Sequence, residues 1–310
     1  MLIEYHRNLL SDKVRHDAFH RALKHVIKKG ETVVADIGSG TGLMGFLASQ
    51  LGAKDVYLYE YGDVMGLSKN LAKDNKIKNL HFIHGHSSEA KNPAPVDIIV
   101  SETLGNYAFE EHMIATIENA KRFLKPGGTI IPQRVEQFAC PVTGDKFFKE
   151  LSAWDDVGFG LDFEAAKTMS LNNIYVRVFG AKDLLDNGKA AQRWDNVDFR
   201  EKNSSDRRGE AEWKLKEETK IYGLAVWWNC ELVPGIELST GPLAPKTHWE
   251  QLYFPVLEPL AATKGDTLSI ALSSQSTYEE GTTIRWSINL HKTDGKTIKQ
   301  SMDLTKGFLG

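Results

Sequence analysis

The fold of this chain is decided by residues 33–42, which read VVADIGSGTG in the one-letter code. Val33, Val34 and Ala35 are typical of a short buried strand, and the apolar residues 43–51 that follow the glycines predict a helix. Glycines between a strand and a helix let the backbone approach a ligand closely and adopt angles that a Cβ atom would forbid. We therefore predict a strand–turn–helix unit with a ligand site at its turn.

Strands and helices alternate on both sides of this unit. We predict a helix over residues 11–29, capped by Ser11 or Asp12, and a turn at residues 125–128. Further strands are predicted at 56–59, 80–83 and 97–100, and further helices at 66–75 and 113–124. This alternation implies an α/β domain in which helices cover both faces of a parallel sheet.

The alternation ends near Pro132, where segments with a strand pattern replace it. These segments are separated by Gly, Pro and Asn turns and lie at 222–232, 267–273, 283–290 and 297–304. They predict an antiparallel β domain, a barrel or a sandwich. The charged residues 200–220 predict a solvated loop or edge. At about 150 residues per domain, the length of 310 residues also favours two domains.

The composition is that of a globular protein and excludes a few classes. Lys and Arg number 38 and Asp and Glu 41, a net charge of −3, so a nucleic-acid partner is not expected. There is no run of about 18 apolar residues to span a membrane, and the N-terminus lacks the apolar core of a signal peptide. Cys140 and Cys230 cannot form a disulfide framework, which favours a cytoplasmic location. No set of residues at metal-ligand spacing is evident, so no metal site is expected.

The glycine spacing distinguishes between possible nucleotide ligands. The spacing is Gly-x-Gly-x-Gly, whereas dinucleotide-binding proteins have Gly-x-Gly-x-x-Gly. Asp36 precedes the first glycine, where a carboxylate suits a cationic ligand better than a pyrophosphate. Glu60 ends the second predicted strand, where it can accept hydrogen bonds from ribose hydroxyls.

With these residues the sequence resembles the class I S-adenosylmethionine-dependent methyltransferases, in which Asp-Ile-Gly-Ser-Gly-Thr-Gly is a characteristic opening. The resemblance implies that the cofactor is S-adenosyl-L-methionine, with its amino-acid part at the glycine loop and its ribose at Glu60. Residues after the third strand are implied to contact adenine. The remaining implied cofactor residues are Asp36, Gly38, Gly40 and Gly42 in the loop, and Ser88 or Glu89 at the adenine.

Two glutamates lie in residues 101–111, SETLGNYAFEE, after the fourth predicted strand. Ligands of open α/β sheets bind beyond the carboxyl ends of the strands, so this loop lies beside the cofactor site. Gly105 permits a hairpin that brings Glu102 and Glu111 face to face. Confined carboxylates repel each other unless a cation lies between them, and a planar guanidinium matches such a pair. Ordinary surface glutamates remain the alternative.

The resemblance then narrows to the protein arginine N-methyltransferases and covers most of the chain. Four stretches carry it: Tyr5-His6 with residues 9–15, the double-glutamate loop, Ile131-Pro132, and Thr247-His248-Trp249. The resemblance implies that Arg15 meets the cofactor carboxylate and that Ile131-Pro132 is a cis junction. It also implies a Rossmann-like methyltransferase domain at 1–132 and a β-barrel substrate and dimerisation domain at 133–310. A helical arm at about 162–188 and a homodimer follow from it.

The implied reaction is methyl transfer to a guanidino nitrogen of arginine in a protein or peptide, by direct displacement. Glu102 and Glu111 would orient the guanidinium, and Glu111 or His248 would accept the departing proton. Tyr107 and Trp249 would form walls of the substrate pocket.

Product type and substrate size stay open. Thr103 and Leu9 stand where family members that make asymmetric dimethylarginine usually have Trp and Met. The acidic loop fits a small guanidino or amine metabolite as well as a protein substrate. A cofactor-binding scaffold without turnover is the third hypothesis.

Overall fold

The computed structural model describes residues 3–279 and 281–308. Residues 1 and 2 belong to the stretch searched for a signal peptide and lie outside the described residues. Across the described parts of the chain, no helix has the length and apolarity that a membrane span requires.

The N-terminal region is a five-stranded parallel sheet with helices on both faces. Its helices are α1 Ile3–Ser11, α2 Lys13–Val26, α3 Leu43–Gln50, α4 Val64–Asp74 and α5 Met113–Ala120. Its strands are β1 Val33–Ile37, β2 Asp55–Glu60, β3 Leu80–His84, β4 Val96–Ser101 and β5 Leu124–Ile131. They lie in the order β3-β2-β1-β4-β5, and every neighbouring pair is parallel. In β1 the side chain of Val34 joins one hydrophobic cluster and that of Ala35 the other, so both faces of the sheet are buried.

Two local predictions are sharpened or corrected in this region. Helix α2 is capped by Asp12, whose Oδ1 accepts from the Arg15 backbone N–H at 2.9 Å. The separate turn predicted at 125–128 is wrong, because these residues lie within β5 as an irregularity of the pairing with β4. Gly127, with φ +77°, allows this interruption of the strand.

The C-terminal region is antiparallel, as predicted. Its strands are β6 Arg134–Val142, β7 Tyr175–Arg177, β8 Gln192–Asp198, β9 Asp206–Lys214, β10 Thr219–Val233, β11 Ile236–Ser239, β12 Gln251–Ala262, β13 Thr267–Thr277, β14 Gly281–His291 and β15 Thr297–Asp303. Hydrogen bonding divides them into a sheet β7-β12-β10-β6-β8, with β11 on β10, and a sheet β15-β14-β13-β9. The charged stretch at 200–220 contains β9, which is an edge strand of the second sheet.

A helical insertion lies between β6 and β8. It contains α6 Lys146–Leu151 and α7 Glu164–Leu171, so it begins earlier than the arm predicted at about 162–188. Its tip between these two helices is rich in exposed apolar side chains, and Phe159 there is 95% exposed.

The two regions share one hydrophobic core. The Ile131-Pro132 peptide that joins them is cis, as the family resemblance implies. One cluster of buried side chains runs from Leu104 and Tyr107 in the first region to Trp228 and Trp249 in the second. This continuity fixes the double-glutamate loop against the antiparallel sheets.

Candidate functional site

A cavity of about 1370 Å³ opens beyond the carboxyl ends of β1 to β4. This is the edge at which open α/β sheets bind ligands. Helix α1 contributes Tyr5, His6, Leu9 and Leu10 to its lining, and the double-glutamate loop contributes Glu102 and Glu111.

The glycine loop after β1 forms one wall of the cavity. Gly38, Gly40 and Gly42 all have positive φ, at +70°, +52° and +92°. Gly38 and Gly40 line the cavity, whereas Gly42 does not. A Cβ atom on Gly42 would collide with the side chains of Ser68 and Phe46. Gly42 is therefore required by the packing of α3 and does not touch the cavity.

Two acidic side chains accept hydrogen bonds from backbone N–H groups in and next to this loop. Glu60 is 8% exposed, and its two carboxylate oxygens accept from the backbone N–H groups of Gly40 at 2.8 Å and Gly62 at 2.7 Å. Each oxygen keeps a lone pair that can accept from a ribose hydroxyl. Burial raises the pKa of Asp36 to about 7, although a hydrogen bond from the Gly45 N–H opposes this effect.

Arg15 and Glu102 form a buried ion pair at the end of the cavity beside β4. The Nε of Arg15 donates to Oε2 of Glu102 at 2.7 Å, and Nη2 donates to the same oxygen. Nη1 of Arg15 is buried, and no hydrogen-bond partner lies near it among residues 3–279 and 281–308. A buried unpaired donor on a guanidinium suits the carboxylate of a ligand. The residues present therefore fit S-adenosyl-L-methionine, with its amino-acid end at Arg15 and its ribose at Glu60.

Glu111 lines the same cavity as Glu102, and its pKa is strongly shifted. Burial raises the pKa of Glu111 to about 7, and the negative charge of Glu102 adds to the shift. The hydroxyl of Tyr5 donates to Oε1 of Glu111 at 3.1 Å and acts in the opposite direction. Both carboxylates line the cavity, where a cation placed between them would relieve their repulsion.

The loop between these glutamates is not the hairpin that the sequence predicts. Gly105 does not have positive φ; it is needed because the side chain of Glu110 packs directly on it. Oε1 of Glu110 accepts from the Asn106 N–H at 2.8 Å, and this bond links the two ends of the segment 106–110.

Two residues predicted as walls of the substrate pocket lie behind this loop instead. The indole of Trp249 donates to the carbonyl of Leu104 at 2.7 Å, and the hydroxyl of Tyr107 hydrogen-bonds Ser274. Tyr107 and Trp249 are 2% and 4% exposed, and neither lines the cavity. They are wrong as pocket walls, because packing against the antiparallel sheets buries both rings.

His248 also lies outside the cavity lining. Its Nδ1 and its backbone N–H both reach Oδ2 of Asp12, at 2.8 and 2.7 Å. Burial alone would raise the pKa of Asp12, but the hydrogen bonds from His248 and from the Arg15 backbone lower it to about 2. His248 therefore holds the start of α2, the helix that carries Arg15.

The far end of the cavity, after β3, separates the two predicted adenine residues. Glu89 lines the cavity, whereas Ser88 does not and its hydroxyl hydrogen-bonds Nδ1 of His86 at 2.6 Å. Sequence reasoning missed three residues that line this end: His112, Thr116 and Tyr278. No motif marks Tyr278, which is 162 residues from its hydrogen-bond partner Thr116.

Family models match both halves of the chain. A model described as "Arginine methyltransferase oligomerization subdomain" matches residues 133–295, more than half of the chain, and a "Methyltransferase domain" model matches residues 28–182. The chain belongs to the protein arginine methyltransferase family.

Curated relatives from this family are similar to most of the chain. It is 26% identical over 290 residues to "Histone-arginine methyltransferase CARMER" of Anopheles gambiae, a match that covers 88% of this chain and 47% of the relative. It is 27% identical over 274 residues to "Protein arginine N-methyltransferase 8-B" of Danio rerio, covering 85% and 64% of the two chains. The chain thus spans about half to two thirds of the length of these relatives.

Solved structures support the fold of this arginine methyltransferase. The "Trypanosoma brucei PRMT1 enzyme-prozyme heterotetrameric complex with AdoHcy" superimposes with a TM-score of 0.86 at 22% identity. The match covers 97% of this chain and 98% of that one. At this identity the likeness establishes the α/β region followed by antiparallel sheets.

Proposed function

We propose that this chain transfers a methyl group from S-adenosyl-L-methionine to a guanidino nitrogen of arginine in a protein or peptide. The observation that carries the proposal is the pair Glu102 and Glu111 on one wall of the cavity, beside a glycine loop and an unpaired Arg15 donor. Membership of the arginine methyltransferase family points the same way. When bound, the cofactor supplies an electrophilic methyl group on its sulfonium.

The residues proposed to hold the cofactor follow the cavity wall. Nη1 of Arg15 takes the carboxylate of the amino-acid end, and the backbone of Gly38 and Gly40 lies along it. Glu60 accepts from the ribose hydroxyls, and Glu89 faces the adenine. Asp36 fixes the loop by accepting from the Gly45 N–H.

Glu102 and Glu111 are proposed as the residues that bind the guanidinium. Arg15 already occupies Oε2 of Glu102, whereas Oε1 accepts a long bond from the Leu104 N–H at 3.4 Å and keeps a lone pair for the substrate. Glu111 lines the same cavity, and its carboxylate is proposed to hold positive charge on the target group. A group with a pKa near 7 is also suited to accept a proton at neutral pH, so we assign that role to Glu111 and not to His248.

The test is incubation of the protein with methyl-labelled S-adenosyl-L-methionine, an Arg/Gly-rich peptide and the same peptide with Lys in place of Arg. We expect label in the Arg peptide alone. A metabolite extract is the third substrate arm, and label confined to its small molecules would contradict a protein substrate. Cofactor binding without transfer to any arm would favour a scaffold.

We also propose that the chain forms a homodimer in the cytoplasm. The match to an oligomerization subdomain and the exposed apolar tip of the helical insertion support the dimer. The two buried, unpaired cysteines Cys140 and Cys230 support a reducing compartment.

A further inference from the structure

A hairpin of the C-terminal region reaches the cavity on the side of β3. Tyr278 lies in the turn that follows β13 and lines the cavity. The strand β13 itself belongs to the antiparallel sheets. Its hydroxyl hydrogen-bonds Nε2 of His86 at 3.1 Å and Oγ1 of Thr116 at 2.9 Å. Tyr278 therefore joins the second region to two elements of the first.

The ring of Tyr278 is only partly covered. The His112 ring packs on it at a centroid distance of 4.4 Å and the His86 ring meets it edge-on at 5.3 Å, yet Tyr278 remains 58% exposed. A ring that is anchored at its hydroxyl and open on the cavity side offers a flat apolar surface to a ligand. Aromatic and heteroaromatic rings are the ligands that gain most from such a surface.

Polar atoms without partners surround this ring. Within the described part of the chain, Oγ of Ser87 and Nδ1 of His112 are buried with no hydrogen-bond partner, and both residues line the cavity. The Glu89 carboxylate lines the same end. Buried polar atoms are almost always paired in the state in which a protein works, so this end calls for a ligand whose edge has both donors and acceptors.

Position identifies which part of the ligand lies there. Glu60, at the end of β2, separates this end from Arg15 and Glu102 beside β4. With the ribose at Glu60 and the amino-acid end at Arg15, the remaining part of the cofactor is its purine. This step rests on the proposed function.

The hairpin is fixed in place independently of a ligand. Oγ of Ser276 donates to the Phe109 carbonyl at 2.9 Å, and Oγ1 of Thr282 donates to the Glu110 carbonyl at 3.4 Å. These bonds hold the hairpin on the double-glutamate loop, so Tyr278 is positioned before a cofactor arrives.

We propose that Tyr278, contributed by the C-terminal region, is a cofactor-binding residue that packs against the purine and closes the purine end of the cavity together with His86, His112 and Thr116.

The test is isothermal titration calorimetry of the full chain with two probes, S-adenosylhomocysteine and 5′-methylthioadenosine. Both carry the purine, and only the first carries the amino-acid end. We expect Tyr278→Ala to weaken both probes by the same factor of about tenfold, since base–aromatic packing is lost. Tyr278→Phe keeps the ring and is expected to weaken both by about threefold. Arg15→Lys is the matched control, and we expect it to weaken S-adenosylhomocysteine alone.

Unchanged dissociation constants for Tyr278→Ala would overturn the inference, as would a loss confined to S-adenosylhomocysteine. If circular dichroism shows Tyr278→Ala to be unfolded, Tyr278→Leu, which keeps apolar volume without the ring, decides, and binding of both probes equal to wild type overturns the inference. The wild-type protein can bind both probes, and Tyr278→Ala can weaken both, while no methyl group is transferred to any substrate. That result contradicts the proposed function and leaves this inference standing. A wild-type protein that binds neither probe overturns both.

Discussion

At the scale of single residues, Glu111 connects the electrostatics of the cavity with its chemistry. It lies near a second carboxylate in the cavity lining, and the hydroxyl of Tyr5 donates to it at 3.1 Å. Glu102 differs, because it is already neutralised by Arg15. The two glutamates should therefore respond differently to the same substitution.

We expect Glu111→Gln to lower kcat by about 100-fold to 1000-fold, because the variant can neither hold charge on the substrate nor accept its proton. Binding of S-adenosylhomocysteine should stay within about twofold of wild type, since Glu111 does not contact it. Glu102→Gln should lose activity as well, and it should also lower the melting temperature, because Arg15 is left buried without a counter-charge. Glu212→Gln on the exposed face of β9 is the control. Normal turnover by both cavity variants would contradict the guanidinium clamp.

The pKa of Glu111 predicts the pH dependence of the reaction. Because the carboxylate must be ionised, kcat/KM should rise with pH through a midpoint near 7. Tyr5→Phe removes the hydroxyl that stabilises the carboxylate, so the midpoint should move to higher pH. Tyr57→Phe, a tyrosine outside the cavity lining, should leave the midpoint unchanged. An unchanged midpoint in Tyr5→Phe would show that this hydrogen bond has no role.

The same shift has a consequence for stability, with a definite sign. The folded pKa of Glu111 lies above the ordinary value of 4.5, so its contribution to stability is full below pH 4.5 and is lost as the pH rises through 7. In urea unfolding, Glu111→Gln should therefore gain stability relative to wild type between pH 5 and pH 8.

At the scale of elements, helix starts and loops place the side chains of the site. Gly42→Ala should destabilise the protein by about 1–3 kcal/mol, because alanine resists φ +92° and its Cβ would meet Phe46 at 2.7 Å. Gly66→Ala is the opposite case. Gly66 lies within α4 with no atom within 4 Å of an added Cβ, so the change should stabilise the protein by about 0.5–1 kcal/mol. Urea denaturation of the two variants measures both effects, and equal destabilisation would refute the distinction.

The contact between His248 and Asp12 is a second element-scale test. His248→Ala removes a side-chain partner of a buried carboxylate and should cost about 1.5–3 kcal/mol in unfolding free energy at pH 7. The pKa of Asp12 is lowered to about 2, so its contribution is present above pH 3.8 and is lost as the pH falls towards 2. The difference between wild type and variant should accordingly shrink on acidification. His291→Ala on the exposed end of β14 serves as the control.

Sequence patterns predict the helices and strands in which apolar residues recur at a regular spacing. They do not predict contacts between residues that are far apart in the chain. The period of apolar residues located α2 and β1 to β4 to within a few residues. The strand β12 was missed, because Pro255 and Pro259 interrupt its pattern. Glu102 and Glu111 could be named from one loop, whereas the burial of Trp249 depends on sheets more than a hundred residues from Leu104.

At the scale of the whole molecule, the helical insertion is the surface at which we propose that a second copy binds. Trp154 stacks on Phe163 and orders the tip, while Phe159 and Leu161 stay exposed. Ordered apolar residues on a protruding tip are typical of an interface. We expect Phe159→Asp to convert the dimer to a monomer in sedimentation velocity. Ile298→Asp, an exposed apolar position on β15, should remain dimeric. A dimer that survives Phe159→Asp would exclude the tip as the interface.

The shared core has a consequence for how the protein can be divided. Pro132 separates two architectures, but the hydrophobic cluster that runs from Leu104 to Trp249 crosses this point. A fragment cut there would leave the apolar face of the double-glutamate loop in water, so neither half is expected to fold as an autonomous unit. Ligand binding in the cavity should for the same reason slow amide exchange in β10 and β13 as well as in the parallel sheet. The two regions differ in architecture, but we expect them to unfold together as one cooperative unit.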